Sequence, residues 1–373
     1  MVKFPSIFVN HGGGPLPLLG KQPDIVQNMK YIVENYLKPL KEEPKAIIMI
    51  SAHWESSSSS DDDSSDNDNS DNDFRQRRRP TVRITASEKP NMIYDYYGFP
   101  KESYTYEYPA PGSPKLAHKI HDLFQQHNIN SILDYDRGYD HGIYIPLMIM
   151  YPNANIPVVC ISLDGSLDTK SNMEIGKALR TLRTMDNDND DVDPTNNNND
   201  TDDIINGDGI LIIGSGYTFH NMNAFFNPSS KTIDASIQFN TWLKSTILLQ
   251  QQQEENNNGE ENGNNNGEDN GKDGKDDTCS NGGTSKSSKY DVMYDKLVHW
   301  ESLSAPYGRI CHPREEHLLP LLMIAATATD EGMEQFPPQL IYDTTTTTKT
   351  KTTNASGSNG QLSEHAVTGY LFN

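Results

Sequence analysis

The sequence predicts an α/β fold in which helices flank a mostly parallel central sheet. The first observation is a set of short runs rich in Ile and Val and nearly free of polar residues, as expected for strands covered on both faces. These runs span residues 4–10, 45–51, 156–163 and 209–214. The second observation is that segments with helical periodicity separate and follow the runs, which is typical of such sheets. The helical segments are 23–41, 114–127, 142–150, 171–184, 230–248 and 313–327.

Four low-complexity tracts interrupt this pattern, and none of them falls inside a predicted strand. They consist mainly of Ser, Asp, Asn, Gln, Gly or Thr, so they have little apolar surface to bury, and we expect disordered surface insertions. The tracts are residues 56–73, 186–203, 250–280 and 343–360. The predicted organisation is therefore a single domain over residues 1–373 rather than several domains joined by linkers.

The negative charge of the chain belongs to these tracts. The 373 residues carry a formal net charge of −21, and the first three tracts alone contribute 24 acidic residues and two lysines. The rest of the chain is therefore close to neutral. The main basic cluster, Arg75 and Arg77 to Arg79, borders an acidic tract and is explained as its counter-charge. Without a basic stripe elsewhere, we expect no nucleic-acid partner.

Cysteine usage and hydropathy predict the compartment. Cys160, Cys279 and Cys311 are far apart and form no CxxC pair, which argues against a disulfide framework or a thiolate zinc site and fits a reducing compartment. The N-terminus lacks a basic segment followed by a long apolar one, and no run approaches the roughly 20 apolar residues of a membrane span. We therefore expect a cytoplasmic protein without a membrane partner.

Histidines follow three of the predicted strands. His11 comes directly after the first strand and before three glycines, which allow a sharp turn. His53 follows the second strand, and His220 follows the fourth after Gly-Ser-Gly at 214–216, which we interpret as a tight turn. The carboxyl ends of strands in an open α/β sheet form the edge at which ligands bind, so these three rings are expected to converge.

Two further histidines lie in similar apolar or glycine-rich contexts. His141 occurs in RGYDHG, and His317 occurs in HPREEH, where Pro313 predicts the first turn of a helix. Converging imidazoles suit a first-row divalent metal such as zinc or iron. A single buried histidine is more often a hydrogen-bonded core residue, but three at equivalent strand ends favour a metal centre.

Other polar and aromatic residues leave alternatives open. Glu315 and Glu316 are either carboxylate ligands or favourable charges at a helix N-terminus. The aromatic stretches 94–100 and 104–114 form either a packed, rigid loop or one wall of an aromatic substrate pocket.

Six motifs in order resemble one known family. They are VNHGGGP, PKAIIMISAHWE, IYDYYGFP with YEYPAPGSP, RGYDHGIYIPLMIMYPNANIPVVCISL, LIIGSGYTFHN and HPREEHLLPLLMIAATA. Together they resemble the DOPA 4,5-dioxygenase branch of the class III, or LigB-type, extradiol ring-cleaving dioxygenases. The resemblance covers nearly all of the chain outside the low-complexity tracts.

The resemblance implies a phosphorylase/hydrolase-like α/β fold and one mononuclear non-haem metal centre. It further implies that a catechol, DOPA-like in the named branch, is opened by O₂ to a semialdehyde. Fe(II) is the metal expected for activity, because the filled d shell of zinc has no accessible electron; zinc is expected in preparations of the protein.

The resemblance also assigns roles to the five histidines. His11, His53, His220 and His317 occupy the positions that bind metal in bacterial members with zinc, and His141 matches an acid–base histidine. In the protocatechuate-cleaving branch a glutamate completes the ligand set instead, and the histidine at the position of His220 is the base. His220 is therefore expected to be either a ligand or the proton carrier. HGGGP replaces the HGSP of many relatives and keeps the ligand position.

Two functions of other classes use the same fold and residues. One is a non-catalytic metal-binding or interaction protein like those of the Memo family, which retention of all five histidines disfavours. The other is a zinc-dependent hydrolase in which metal-bound water attacks an ester or amide. Oxygen uptake distinguishes a dioxygenase from both.

Overall fold

The computed structural model describes residues 3–56, 79–184, 209–249, 287–335, 337–344 and 367–372. Its strands are β1 (Ser6–Asn10), β2 (Ala46–Glu55), β3 (Thr81–Thr85), β4 (Asn130–Asp134), β5 (Val158–Leu163), β6 (Ile210–Gly216), β7 (Gln339–Asp343) and β8 (Thr368–Phe372). The helices before β6 are α1 (Pro23–Ile32), α2 (Pro114–Gln126), α3 (His141–Met150), α4 (Thr169–Leu179) and α5 (Thr181–Thr184). Those after β6 are α6 (Met222–Phe226), α7 (Ser230–Ile247), α8 (Lys289–Val298), α9 (Trp300–Leu303), α10 (Tyr307–Cys311), α11 (Leu319–Ala326) and α12 (Asp330–Gln335).

The described strands form one eight-stranded sheet in the order β4-β3-β5-β2-β6-β1-β8-β7. The four inner strands β5, β2, β6 and β1 are parallel, and they are the four strands that the apolar runs predict. On one side β3 is antiparallel to β5, and on the other β8 is antiparallel to β1. The predicted α/β fold with a central parallel sheet is confirmed, and antiparallel outer strands make the complete sheet mixed.

Helices cover both faces of the sheet, which explains why the inner strands are apolar on both sides. Ile48 and Ile50 of β2 contribute to the larger apolar core, which also contains residues of α2, α4, α7, α8 and α11. Ile47 and Met49 face the second core, which contains residues of α1 and α3. Complete burial of each such side chain stabilises the fold by roughly 1.5–3 kcal/mol.

The segment 214–216 is the end of β6, so the predicted tight turn there is wrong. Its glycines are explained by the close approach of the chain around α11. A Cβ atom on Gly214 would lie 2.7 Å from the carbonyl oxygen of Pro320, and one on Gly216 would lie 2.3 Å from that of His317. Both positions therefore require glycine because backbone packs directly against this strand.

The last predicted helix begins later than expected. It was predicted from residue 313, but α11 begins at Leu319, and His317 lies in the turn before it. Pro320 is the physical reason, because a proline is tolerated in the first turn of a helix and disrupts an interior one. His317 therefore belongs to a turn and not to a helix.

The low-complexity tracts lie outside the described residues, apart from Ser56 of the first tract and Asp343 and Thr344 of the fourth. Ser56 is buried beside β2, where its hydroxyl donates to the carbonyl of Thr81 and accepts from the backbone N–H of Gly165. Asp343 is the last residue of β7 and forms an ion pair of 2.9 Å with Lys244. Both residues therefore belong to the folded structure. Across the described ranges, no helix has the length and apolarity needed to cross a bilayer.

Candidate metal centre

The strands and helices bring all five predicted histidines to one edge of the sheet. His11 directly follows β1, where Gly12 has a φ of +91° and a Cβ atom would lie 2.2 Å from Cγ of Pro17. His53 lies within β2, which is longer than predicted, rather than after it. His220 follows β6 by four residues, and its backbone N–H donates to the carbonyl of Cys311. His141 is the first residue of α3.

Ring contacts show how closely the imidazoles converge. The ring centroid of His11 lies 4.9 Å from that of His53, 5.3 Å from that of His141 and 5.4 Å from that of His317. The rings of His220 and His317 stack with a centroid distance of 3.4 Å. The convergence that the strand ends predict is therefore present.

A buried chain of hydrogen bonds fixes the tautomer of His11. The Ser215 hydroxyl donates to the backbone carbonyl of Gly142, and its oxygen lies 3.0 Å from Nδ1 of His11. Since the single hydroxyl proton is used on the carbonyl, the oxygen accepts from Nδ1–H of His11. The lone pair of His11 is then on Nε2, the atom that faces the other rings.

The spacing of His11 and His53 fits two ligands on one ion. Their Nε2 atoms are 3.1 Å apart. Two nitrogens at about 2.1 Å from one metal are roughly 3.0 Å apart at a right angle and roughly 3.4 Å apart at a tetrahedral angle. The observed distance lies between these values, so the residues present fit a bound divalent ion.

Glu316 orients two of the imidazoles. Its Oε1 lies 3.0 Å from Nδ1 of His317 and 3.2 Å from Nδ1 of His220. An ionised carboxylate only accepts hydrogen bonds, so it favours a proton on each Nδ1 and leaves each Nε2 available for a metal. Of the two readings of the acidic pair, Glu316 therefore contacts ligand candidates, whereas Glu315 forms an ion pair of 2.6 Å with Arg309.

Asp95 is the carboxylate on the opposite side of the centre, and it binds one imidazole closely. Its Oδ1 lies 2.8 Å from Nδ1 of His141 and accepts the backbone N–H of the same residue at 3.0 Å. Its Oδ2 lies 3.7 Å from Nδ1 of His53. Sequence reasoning missed Asp95, which is a single acidic residue in the aromatic stretch 94–100. The only signal was its position in a motif shared with the resembling family.

A second buried acid supports the backbone of the centre. Asp140 is fully buried, accepts from the Ser51 hydroxyl at 2.7 Å and pairs with the guanidinium of Arg137 at 2.8 Å. Arg137 also donates to the carbonyl of His53 at 3.2 Å. These contacts tie β2 to the start of α3. Burial raises the pKa of Asp140, while the charge of Arg137 opposes that shift.

The surroundings keep the central imidazoles neutral. Burial, followed by the charges of neighbouring histidines, holds the pKa values of His11 and His317 well below the usual value. Burial and the charge of His141 lower the pKa of His53 to about 3, although Asp95 opposes the shift. Neutral imidazole is the form that binds a metal, so the electrostatics favour ligation at neutral pH.

A cavity of about 470 Å³ opens beside the histidines. His53, His220 and His317 line the cavity, while His11 is buried. The remaining lining residues are Ala52, Glu55, Met222, Arg314 and Glu316. The Glu55 carboxylate binds the Arg314 guanidinium through two contacts of 2.6 Å. A small molecule in this cavity would lie next to three imidazoles and a charged pair.

Donor atoms that could hold an ion fall into two sets of three among the described residues. One set is His11, His53 and His141, and the other is His220, Glu316 and His317. Within each set the donor atoms lie within 4.8 Å of one another. The four predicted ligands are thus divided between both sets, with His141 beside two of them.

Comparisons with known proteins identify the family and support the fold. Residues 7–192 match the family model described as the catalytic LigB subunit of aromatic ring-opening dioxygenase. The 4,5-DOPA dioxygenase extradiol of Beta vulgaris is 31% identical over 328 residues, which are 88% of each chain. That of Mirabilis jalapa is 30% identical over 65% of this chain and 72% of the relative. That of Escherichia coli is 28% identical over 66% and 71%.

A solved structure shows the same fold. The crystal structure of an uncharacterized protein from Escherichia coli K12 aligns with a TM-score of 0.55 and 20% identity, covering 99% of this chain and 100% of that one. Fold and site together define an α/β protein with a histidine-rich candidate metal centre at the edge of its sheet. The chain belongs to the LigB-type extradiol dioxygenase family.

Proposed function

We propose that this protein is a metal-dependent extradiol dioxygenase that opens the ring of a catechol, DOPA-like in its substitution, with O₂. The carbon–carbon bond beside the diol breaks, and both oxygen atoms enter a semialdehyde product. The observation that supports this most strongly is the convergence of five histidines beside a cavity in a chain of this family. Relatives named 4,5-DOPA dioxygenase support the choice of a catechol.

One divalent ion would be held by His11, His53, His220 and His317. The Nε2 spacing of the first pair and the Nδ1 contacts of Glu316 with the second pair support this set. Fe(II), when bound, would supply electron transfer between a catecholate and O₂, which zinc with its filled d shell cannot supply.

His141 is proposed to carry the proton. Removing a catechol proton and assisting cleavage of the O–O bond both need an acid–base group near neutral pH, and imidazole is suited to this. Oδ1 of Asp95 accepts from the ring of His141 alone, whereas Oε1 of Glu316 is shared by His220 and His317. A carboxylate with one imidazole is better placed to stabilise an imidazolium, which favours His141 over His220.

The cavity would orient the catechol. A diol directed toward His53, His220 and His317 leaves the ring substituent to contact the other lining residues. Among them Met222 offers an apolar contact, and Glu55 and Arg314 offer charges. Holding substrate beside the ligands converts an encounter of separate molecules into a local rearrangement.

The test is anaerobic loading with Fe(II), followed by an oxygen electrode and a visible spectrum with a panel of catechols. We expect oxygen uptake with a yellow semialdehyde product whose mass exceeds that of the catechol by one O₂. A matched zinc-loaded sample should take up no oxygen. Ring opening by the zinc sample would refute the role of iron, and ester or amide hydrolysis without oxygen uptake would favour a zinc hydrolase.

Binding of metal and catechol without turnover under any loading would instead favour a Memo-like binding role.

The cytoplasmic location is part of the proposal. It is supported by Cys160 and Cys311, which are free and buried.

A further inference from the structure

The loop that carries Asp95 is joined to helix α3 by two adjacent polar contacts. Asp95 binds His141, the first residue of α3, and the Tyr144 hydroxyl, three residues later in the helix, donates to the Tyr96 hydroxyl at 2.7 Å. The Tyr96 hydroxyl in turn donates to the carbonyl of Ser103 at 2.5 Å. The loop is therefore anchored independently of Asp95, which allows the two contacts to be tested separately.

A single oxygen of Asp95 holds both the backbone and the ring of His141. Oδ1 accepts the main-chain N–H at 3.0 Å and Nδ1–H at 2.8 Å. The N-cap residue of α3, Asp140, makes no side-chain cap bond, so Asp95 satisfies an N–H group that the helix leaves free. Fixing the backbone and the ring together restricts the rotation of the imidazole.

The same contact selects the tautomer of His141. A carboxylate is ionised at neutral pH and only accepts hydrogen bonds, so Nδ1 carries the proton and Nε2 carries the lone pair. The other oxygen of Asp95 is 3.7 Å from Nδ1 of His53, beyond hydrogen-bond distance. Asp95 is therefore committed to His141 rather than shared with a ligand.

We propose that Asp95 is a positioning residue that holds His141 with Nε2 unprotonated and stabilises the imidazolium once Nε2 takes a proton. This role rests on the proposed function, since it acts on the proton carrier of that reaction. Asp95 itself does not touch the reacting atoms in this role. It affects turnover and leaves metal binding and substrate affinity nearly unchanged.

The kinetic experiment compares Asp95→Ala with Tyr96→Phe in the Fe(II)-loaded protein. We expect the kcat of Asp95→Ala to fall about 100-fold, with KM and bound iron within about three-fold of the parent, because acid–base assistance typically contributes 10²–10⁴-fold. Tyr96→Phe removes the neighbouring contacts and should keep kcat within about three-fold. Equal losses in both variants, or loss of iron from Asp95→Ala, would overturn the proposal.

Chemical rescue separates a missing carboxylate from a distorted loop. The Asp95 side chain is 23% exposed, so added formate can reach the space left in Asp95→Ala. We expect formate to raise the kcat of Asp95→Ala at least about ten-fold. The kcat of His141→Ala should not change. No rescue of Asp95→Ala would contradict the positioning role.

A spectroscopic measurement tests the proposal without any turnover. In the zinc-loaded protein with ¹⁵N-labelled histidine, His141 should show a protonated Nδ1 and an unprotonated Nε2, and Asp95→Ala should lose this pattern. If that pattern is found but the Fe(II) protein opens no catechol, the proposed function fails while the positioning by Asp95 stands. A protonated Nε2 on His141 in the parent protein would overturn the positioning whatever the activity.

Discussion

The candidate site has two halves, the donor set with His220, Glu316 and His317 and the donor set with His11, His53 and His141. In each half a carboxylate lies beside two imidazoles, but the distances to the two rings differ between the halves. Around Glu316, one carboxylate oxygen contacts two imidazoles, whose rings stack at 3.4 Å with an angle of 15°. Around Asp95, one imidazole is bound closely and the other lies at 3.7 Å, and the rings of His53 and His141 are tilted by 46°. A carboxylate shared by two imidazoles, as Glu316 is, orients both rings, whereas Asp95 binds and orients only one.

The difference follows from how the chain supplies each half. Glu316 and His317 are neighbours in the turn before α11, and β6 passes directly beneath that turn. Asp95 and His141 come from a loop and a helix 46 residues apart. We interpret the two rings beside Glu316 as a pair of ligands, and the two rings beside Asp95 as one ligand, His53, and the proton carrier, His141. His11, which contacts Ser215 instead of a carboxylate, is the fourth ligand.

Removal of a ligand should give the largest effect. His317→Gln is expected to reduce oxygen uptake by Fe(II)-loaded protein to the level of the metal-free protein, because the ring is one of the proposed ligands. Bound iron measured by mass spectrometry should fall with it. His118→Gln is the matched control, since His118 is exposed on α2. Full activity of His317→Gln would show that the Glu316 half does not bind the metal.

Removal of the proton carrier should separate the two halves. His141→Ala is expected to keep its iron but to lose about 10³-fold in kcat, within the range for acid–base groups. His220→Ala, in the other half, should lose iron as well. Iron content and kcat are measured on the same samples. If His220→Ala keeps iron and His141→Ala loses it, the assignments of ligand and base must be exchanged.

Weakening the shared carboxylate should have a smaller effect. Glu316→Gln keeps the shape of the side chain but removes its charge, so metal affinity is expected to fall about 10- to 100-fold, as for other groups that orient ligands. Competition with a chelator measures this affinity. Glu315→Gln, the neighbouring residue paired with Arg309, is the control. Equal affinities of both variants would contradict the orienting role of Glu316.

Acidification should give the smallest effect, and it concerns stability. Burial lowers the pKa of His53 in one half, and of His312 behind the other, to about 3. In the unfolded chain these residues take up protons near pH 6.5, whereas in the folded chain they do so only near pH 3. Their contribution to stability is therefore fully present above pH 6.5 and is lost as the pH falls toward 3. At pH 5 the free energy of unfolding should decrease by about 2 kcal/mol for His312.

Urea unfolding of metal-free protein at pH 7 and pH 5 measures this change. His312→Leu, which replaces a ring packed against Phe239 and Trp300 with an apolar side chain, should reduce the pH dependence by the same amount. An unchanged pH dependence in that variant would show that His312 is protonated in the folded protein.

The sequence was sufficient for the inner sheet because those strands are apolar on both faces. It did not predict β3 or β4, which are short and partly exposed, and Ile132 of β4 is 40% exposed. The start of α11 was wrong because the significance of Pro320 was missed. Gly216 was assigned to a turn because the sequence does not show why the position requires glycine. The reason is the close approach of the His317 backbone, which exists only in the tertiary structure.

The candidate site shows the same division. His11 and His220 could be predicted because strand ends meet at one edge, and His317 because its motif was distinctive. Asp95 could not, since a lone acid acquires its role only when the loop reaches α3. Glu316 was identified as a candidate, but its contact with two rings depends on the turn that replaced the predicted helix.

X-ray diffraction at the iron absorption edge, on crystals of the anaerobic Fe(II)-loaded protein, tests the central claim most directly. We expect a single anomalous peak within ligating distance of His11, His53, His220 and His317, with His141 outside that distance. Two peaks, one in each set of three donors, or a single peak bound to His141 without His220, would contradict one mononuclear centre shared by the two halves.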